Sequence, residues 1–353
     1  MKTADLDYDL PAELIAQQAV EPRDSSRLLV IHRDTGALEH RGFRELGDYL
    51  HPGDLLIANE SRVIPARLFG RKTPGGGKVE ILLLRNLGAA RWRALVGGAR
   101  TRVGSHMQLL RGEEPLALYA EVEASGERGE RTVVFSEPIE PYLDSIGQMP
   151  LPPYIHQALD DPERYQTVYS RTLGSAAAPT AGLHFTPELL LALRDQGVQL
   201  AFVTLHVGLD TFRPITEDSI EGHTIHSEWA TLTPEVAAQI NQTKVMGGRV
   251  IAVGTTSMRV LETAAREGLL QTPAEGCPWR TVAPFEGFTR LYITPGFQFR
   301  VVDALITNFH LPRSTLLALV MAFAGVELIR KAYAEAIRER YRFFSLGDAT
   351  LIL

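Results

Sequence analysis

The strongest constraint on this chain is a change of hydrophobic period near residue 165. From about Asp54 to Ser136 the sequence reads as short strands with almost no helical period: DLLIAN, ARLFGRK, KVEILLLRN, RWRALVGG, HMQLL, LALYAEVEA and TVVFS. Arg91-Trp92-Arg93-Ala94-Leu95-Val96 shows the alternation of a half-buried strand. Turn residues connect the runs, as in PGGG before Lys78, Gly97-Gly98 and the Ser125–Gly129 stretch. Short strands at even spacing predict a small antiparallel barrel. LPPYI, Leu151 to Ile155, then reads as a linker, because paired prolines hold the chain extended.

Beyond Tyr165, strands alternate with helices. Thr186-Pro187-Glu188 starts a helix with a Thr cap, a Pro in the first turn and an acid against the helix dipole; Gly197 ends it. VQLAFVTLHV follows as a buried strand. Thr233-Pro234-Glu235 repeats the start signal for a helix to about Met246, stopped by Gly247-Gly248. RVIAVG is a strand, SMRVLETAARE a helix, DALITNFHL a strand, STLLALVMAFA a buried helix and VELIRKAYAEAIRERY an amphipathic one. This order predicts an α/β main domain with a largely parallel or mixed sheet flanked by helices. The hairpin strand LLVIHRD joins it. The barrel is then an insertion, with residues 1–60 as the first part of the main domain, 61–150 as the inserted antiparallel β-barrel, and 151–353 as the second part.

Composition excludes several classes. The chain has 353 residues, 45% hydrophobic and 22% charged, enough for a large core and unlike a disordered protein. No apolar run reaches the ~18–20 residues of a membrane span; the longest is Leu316 to Gly325. The acidic start MKTADLDYDL lacks a signal-peptide core, so no membrane association is expected and the cytoplasm is the natural compartment. Cys277 is the only cysteine, which excludes an internal disulfide, a CxxC pair and a multi-cysteine zinc site.

The net charge of -6 hides an asymmetry. Ser61 to Arg111 holds eleven Arg and Lys against one acid, Glu80; Gly112 to Glu163 holds two basic residues against twelve acids. Arg62, Arg67, Arg71 and Lys72 are therefore either a phosphate track for RNA or cations neutralised across a sheet by the acidic strands.

In an open α/β sheet the site lies at the carboxyl ends of the strands. Three strands here end in polar clusters. FVTLHVGLDTFRP places His206 at a strand end, with Gly208 and Arg213 behind it. IAVGTTSMR places Gly254, Thr255, Thr256 and Ser257 before a helix carrying Arg259. LITNFHLPRST carries Asn308, His310, Arg313 and Ser314, and the loop AAPTAGLHFT brings His184 to a helix entrance. The TTS segment is either a helix cap or a grip for a carboxylate or phosphate. It is neither a P-loop nor a GxGxxG fingerprint. A lone buried histidine is usually a satisfied core residue; three near strand ends or helix entrances shift the balance towards a polar site. His223, His226 and Glu228 resemble a metal set only weakly, since HEXXH is absent and strand neighbours alternate faces, so no metal is expected.

Ten blocks carry a family resemblance: RLLVIHRDTGALEHRGF, SRVIPARLFGRK, LPPYI, ERYQTVYS, AAPTAGLHFT, FVTLHVGLDTFRP, HTIHSEW, RVIAVGTTSMRVLE, VVDALITNFHLPRSTLLALVMAFAG and YRFFSLGDATLIL. In this order, over residues 1 to 353, they resemble the S-adenosylmethionine:tRNA ribosyltransferase-isomerases of queuosine biosynthesis. Departures are small: Gly287-Phe288-Thr289-Arg290 stands where the family more often shows a Trp-Thr-Asp run, and Asn59-Glu60-Ser61-Arg62 where it shows Asn-Asp-Thr-Arg. The resemblance implies an α/β domain with an inserted barrel and transfer of the ribosyl part of S-adenosylmethionine, a co-substrate with no permanently bound cofactor. The acceptor is the 7-aminomethyl-7-deazaguanine wobble base of a tRNA with a GUN anticodon. The product is epoxyqueuosine-tRNA, with adenine and methionine released by a monomeric enzyme.

Within that reaction His184, His206, His310 and Glu228 are candidate proton carriers, and Thr255, Thr256, Ser257 and Arg259 candidate contacts to S-adenosylmethionine. Phe185, Tyr154 and Phe309 are available to stack on a splayed base. Two other classes remain open: an S-adenosylmethionine-dependent RNA methyltransferase, which normally carries a GxGxG-like loop missing here, and a non-catalytic tRNA-binding module, which would not need polar strand ends.

Overall fold

Apolar runs such as LLIAN, VIAV and ALITN are buried at every position, as strands covered on both faces must be. In this computed structural model, which describes residues 1–126, 129–157, 159, 161–208, 214–268 and 280–353, they lie in the middle of a large mixed sheet. In chain order the strands are β1 (Arg27–Ile31), β2 (Leu38–Gly42), β3 (Leu55–Asn59), β4 (Ser61–Val63), β5 (Arg67–Thr73), β6 (Lys78–Gly88), β7 (Arg91–Gly97), β8 (His106–Arg111) and β9 (Glu114–Ser125). They continue as β10 (Glu130–Phe135), β11 (Thr172–Ser175), β12 (Gln199–Leu205), β13 (Glu228–Leu232), β14 (Val250–Val253), β15 (Phe285–Thr289), β16 (Ala304–Asn308) and β17 (Ala349–Ile352). The helices are α1 (Leu143–Ile146), α2 (Pro187–Asp195), α3 (Pro234–Val245), α4 (Thr255–Thr263), α5 (Thr315–Ala324) and α6 (Val326–Arg338).

The chain forms two compact units. One comprises Met1–Ser61, Pro152–Thr172 and Ala178–Leu353; the other comprises Arg62–Leu151 and Leu173–Ala177. The first holds a nine-stranded sheet in the order β15-β13-β12-β3-β14-β16-β17-β1-β2. β12, β3, β14 and β16 run parallel, so their carboxyl ends share one edge. β13, β15, β17 and β2 enter through antiparallel pairings, which makes the sheet mixed. Leu55, Ile57 and Ile251 are fully buried; each such side chain contributes about 1.5–3 kcal/mol of hydrophobic stabilisation.

The helix starts follow their local chemistry. The Thr186 hydroxyl accepts the Leu189 amide at 3.1 Å and Thr233 accepts that of Val236 at 3.4 Å, each with Pro at the next position. α4 departs from the sequence reading: it begins at Thr255, two residues before the Ser257 start of SMRVLETAARE, and its N-cap is Gly254.

The second unit holds a closed antiparallel barrel, β10-β7-β6-β5-β8-β9, and β4 pairs with β11. DLLIAN, read with the barrel strands by its period, is β3 in the centre of the main sheet. Among the described residues no helix is long and apolar enough to cross a membrane.

Candidate active site

The carboxyl ends of β14 and β16 open onto one cleft of the main unit. Gly254, Thr255 and Thr256 form one wall, and Thr307 to Leu311 with Ser314 another. Ala178 to Ala181 close a third side, and Tyr154, Phe344 and Ser345 a fourth.

The wall at α4 is built to receive a polar ligand. Gly254 has φ +89, a conformation that favours glycine, and a Cβ there would stand 3.5 Å from that of Ala181. As a glycine cap it offers no side-chain acceptor, and the helix leaves the amides of Thr255, Thr256 and Ser257 without intrahelical partners. The Thr256 hydroxyl is buried with no hydrogen-bond partner among the described residues, and Thr256 lines the cleft. An unpaired buried hydroxyl is costly unless a ligand or water meets it. Ser257 is different: its hydroxyl donates to the Val253 carbonyl at 2.7 Å, and it is fully buried away from the lining. Of the expected grip, Thr255 and Thr256 face the cleft, while Ser257 fastens the first turn.

The three histidines separate. His310 lines the cleft, with Nε2 2.9 Å from the Thr307 hydroxyl. Its backbone is clamped: the amide donates to the Tyr333 hydroxyl at 2.9 Å, and the Tyr8 hydroxyl donates to its carbonyl. Burial pushes the imidazole down to about 3, so it is neutral near pH 7. His184 stands behind the cleft, stacked on Phe43 with centroids 5.0 Å apart. Asn308 accepts the Thr180 hydroxyl at 3.0 Å through Oδ1 and donates through Nδ2 to the Phe344 carbonyl at 3.2 Å and to His184 Nε2 at 3.1 Å. That network makes Nε2 the acceptor, so the proton sits on Nδ1 and donates to Ser26 at 2.7 Å. Burial, with Arg342 and Arg23 adding to it, lowers His184 to about 3. In this geometry His184 sets the amide of Asn308 rather than facing the cleft.

His206 follows β12; its amide donates to the Trp229 carbonyl at 3.0 Å, while its buried Nδ1 has no partner among the described residues. It does not line the cleft, although its neighbour Val207 does. Glu228 is buried at the start of β13. It accepts the Gly208 amide at 2.8 Å, lies 3.2 Å from His226 Nε2 and is ion-paired with Arg259. Burial alone would raise its pKa, but Arg259 and His226 outweigh it and hold the carboxyl at about 2. Glu228 is therefore ionised and anchors Arg259. Arg259 also donates to the Leu291 carbonyl at 3.2 Å, and its Nη2 has no partner among the described residues.

Aromatic residues divide similarly. Phe185 is packed edge-on against Phe43 in the core and does not line the cleft, so it is not placed to stack on a base. Phe309 and Tyr154 do line it, and the Tyr154 hydroxyl lies 2.6 Å from that of Ser345. Asn308, which the sequence offers only as part of a polar cluster, and Ser345, which lies in the YRFFSLGDATLIL block, complete the walls. Arg213 and Cys277 lie outside the described residues. His223 pairs with Glu217 at 3.0 Å and His226 with Glu228, and among the described residues no group of three metal-ligating side chains gathers.

In the barrel, the basic strands face the acidic ones. Arg67 pairs with Glu80 at 3.1 Å, Arg71 with Glu113 at 2.8 Å and Arg91 with Glu123 at 3.0 Å. Lys72 donates to the Ala99 carbonyl, and Arg62 lies on β4. These are partly exposed pairs, each worth about 0–1 kcal/mol, so the cations remain exchangeable with a phosphate.

A family model described as queuosine biosynthesis protein matches residues 3–352. An S-adenosylmethionine:tRNA ribosyltransferase-isomerase of Symbiobacterium thermophilum is 53% identical over 356 residues, covering all of both chains. The protein of the same name from Moorella thermoacetica is 52% identical over 357 residues, again covering both in full. Among solved structures, the S-adenosylmethionine tRNA ribosyltransferase of Thermotoga maritima is 41% identical, with 99% of this chain and 100% of that one covered at a TM-score of 0.56. Matched from end to end, with the barrel and the mixed sheet both in place, this chain belongs to the queuosine biosynthesis protein family.

Proposed function

We propose that this protein transfers and isomerises the ribosyl moiety of S-adenosylmethionine onto the 7-aminomethyl-7-deazaguanine wobble base of tRNA. The observation that carries the reading is full-length identity near 50% to relatives named for this activity, joined to a strand-end cleft whose wall presents an unpaired Thr256 hydroxyl and an uncapped helix start. Thr255, Thr256 and Arg259 hold S-adenosylmethionine as a substrate, with no resident cofactor. Ser257 contributes only its backbone amide.

The sulfonium acidifies the ribose 5′ carbon, so a base must take that proton, and a donor must meet adenine as it leaves. His310 is the histidine that lines the cleft, and this position makes it the residue assigned to proton transfer. His184 acts through Asn308, and Glu228 through Arg259. His206 stands beside the cleft as the second imidazole with a free nitrogen. Tyr154 offers a ring face to the extruded base, whereas Phe309 is fully buried against Tyr333, Tyr341 and Phe343. The barrel cations Arg62, Arg67, Arg71 and Lys72 contact tRNA phosphates, with Arg67 and Arg71 exchanging their carboxylate partners for the backbone. The substrates are tRNAs with a GUN anticodon, and the protein works as a cytoplasmic monomer.

Incubation with S-adenosylmethionine and tRNA carrying the aminomethyl base should release adenine and methionine in equal amounts. Release of S-adenosylhomocysteine would overturn the reading in favour of a methyltransferase. No turnover of S-adenosylmethionine, with tRNA still bound, would favour a binding module.

A further inference from the structure

Where Thr180 meets Asn308, the fold has already chosen the direction of a hydrogen bond at the cleft. Asn308 ends β16 and is buried. Its Nδ2 faces two backbone carbonyls, that of Phe344 at 3.2 Å and that of Asp348 at 3.5 Å. A carbonyl only accepts, so the amide is not free to turn round: its nitrogen points at the segment leading into β17 and its Oδ1 at Thr180. His184 Nε2, 3.1 Å from the same nitrogen, agrees with this orientation, because the ring proton sits on Nδ1 and is engaged by Ser26 at 2.7 Å. The Thr180 hydroxyl lies 3.0 Å from Oδ1, and an amide oxygen also only accepts. The single hydroxyl proton of Thr180 is therefore committed to Asn308. What the half-buried Thr180 presents to the cleft is a pair of oxygen lone pairs, an acceptor and not a donor.

The surroundings restrict which donor this acceptor meets. Among the described residues that line the cleft there is no Asp, Glu, Lys or Arg. An ammonium group bound there would be a charge without a counter-charge, which is costly away from water. The partner is thus a neutral donor. Asn308 and His310 stand two residues apart at the end of β16 and both line the cleft, so the Thr180 acceptor shares its end of the cleft with the imidazole assigned to the ribose proton. Resting on the function proposed above, we infer that Thr180 is a specificity contact that accepts from a ribose hydroxyl of S-adenosylmethionine, and that Asn308 is the positioning residue that keeps the Thr180 oxygen an acceptor. A hydroxyl fits better than the adenine amine, because it donates to Thr180 and still accepts from a neighbouring donor. The Thr256 hydroxyl, without a partner among the described residues, is such a donor on the adjoining wall. The two walls abut at Gly254: the Cβ position that this glycine lacks lies 3.5 Å from the Ala181 Cβ and 3.6 Å from the Thr256 Oγ1.

Calorimetry with the whole protein, without tRNA, compares S-adenosylmethionine with its 2′-deoxy and 3′-deoxy analogues. The parent should bind one of the two analogues about three- to tenfold more weakly, the scale of one neutral hydrogen bond. Thr180→Val and Thr180→Ala remove the acceptor. Each should weaken S-adenosylmethionine but not that analogue, so the ratio of the two affinities falls to about one, the sign of a direct contact in a double-mutant cycle. Thr180→Ser should restore the ratio. Asn308→Ala releases the Thr180 proton and should lower the ratio, whereas His184→Gln, whose carbonyl still accepts from Asn308, should keep it. A Thr180 that serves only the fold would weaken both ligands alike and leave their ratio unchanged, which overturns the inference. So does a parent that binds both deoxy analogues as tightly as S-adenosylmethionine, or a Thr180 effect that follows instead an analogue with purine in place of adenine. An unchanged ratio in Asn308→Ala overturns the positioning role. The functional reading fails separately: the parent with tRNA would release no adenine from S-adenosylmethionine, while the Thr180 ratio stood.

Discussion

Burying His184 and His310 as neutral rings makes the fold sensitive to mild acid. Each is held at about 3 in the folded protein, against 6.5 for an ordinary imidazole. The unfolded chain therefore binds protons that the folded one refuses. The stability these rings allow is complete above pH 6.5 and falls as the pH drops from there towards 3, by about 1.4 kcal/mol per unit for each ring. At pH 5 the loss is about 2 kcal/mol for one histidine and about 4 kcal/mol for both. These figures depend on the unfolded value and hold for any folded pKa below about 4. His184→Gln is the informative variant, because a Gln carbonyl can still accept from Asn308 without titrating. Urea unfolding at pH 8, 6.5 and 5 should show the variant losing about 2 kcal/mol less than the parent between pH 8 and 5. A parent whose stability is flat over this range, or a variant with the same slope, would refute the assignment of His184 as a buried neutral acceptor. The same variant should keep its turnover within about tenfold, since loss of a general acid or base costs about 10²–10⁴.

Three further outcomes follow from the site. Thr256→Val should raise the KM for S-adenosylmethionine without lowering the melting temperature, because the hydroxyl has no internal partner to lose; an unchanged KM would make the TTS segment a helix start and nothing more. His310→Ala should lower the single-turnover rate by about 10²-fold or more, measured by adenine release; a rate near that of the parent would move the proton carrier to His206. Arg67→Ala and Arg71→Ala should each reduce the salt slope of tRNA binding by about 0.7–0.9, for cognate and non-cognate tRNA alike, with stability changing by no more than about 1 kcal/mol. An unchanged slope with a lowered melting temperature would assign both residues to the pairs with Glu80 and Glu113.

The parts of the fold that local chemistry encodes were legible in the sequence. Thr186 and Thr233 announce their helices because a cap needs only its own next three residues. The barrel strands show their alternation because each has one buried face. β17 was not legible: ATLI is four residues of unremarkable apolar chain, and it becomes a strand only by inserting between β16 and β1. β13 and β15 were missed for the same reason, since EWATL and FEGFT are defined by pairing with each other. At the site, Thr256, Arg259 and His310 could be named from strand ends. The division of labour among the histidines could not, because it turns on burial and on which way the Asn308 amide points. The charge blocks were readable as an asymmetry, but their cross-strand pairing needed the register of the barrel.

The central claim is that the ribosyl carbons of S-adenosylmethionine, and not its methyl group, end on the tRNA. A double-label experiment tests this most directly, with ¹⁴C in the ribose and ³H in the methyl group of S-adenosylmethionine, and tRNA bearing the aminomethyl base as acceptor. The account predicts that purified tRNA carries ¹⁴C alone, while ³H remains with free methionine. Tritium on the tRNA, with ¹⁴C recovered in S-adenosylhomocysteine, would contradict it.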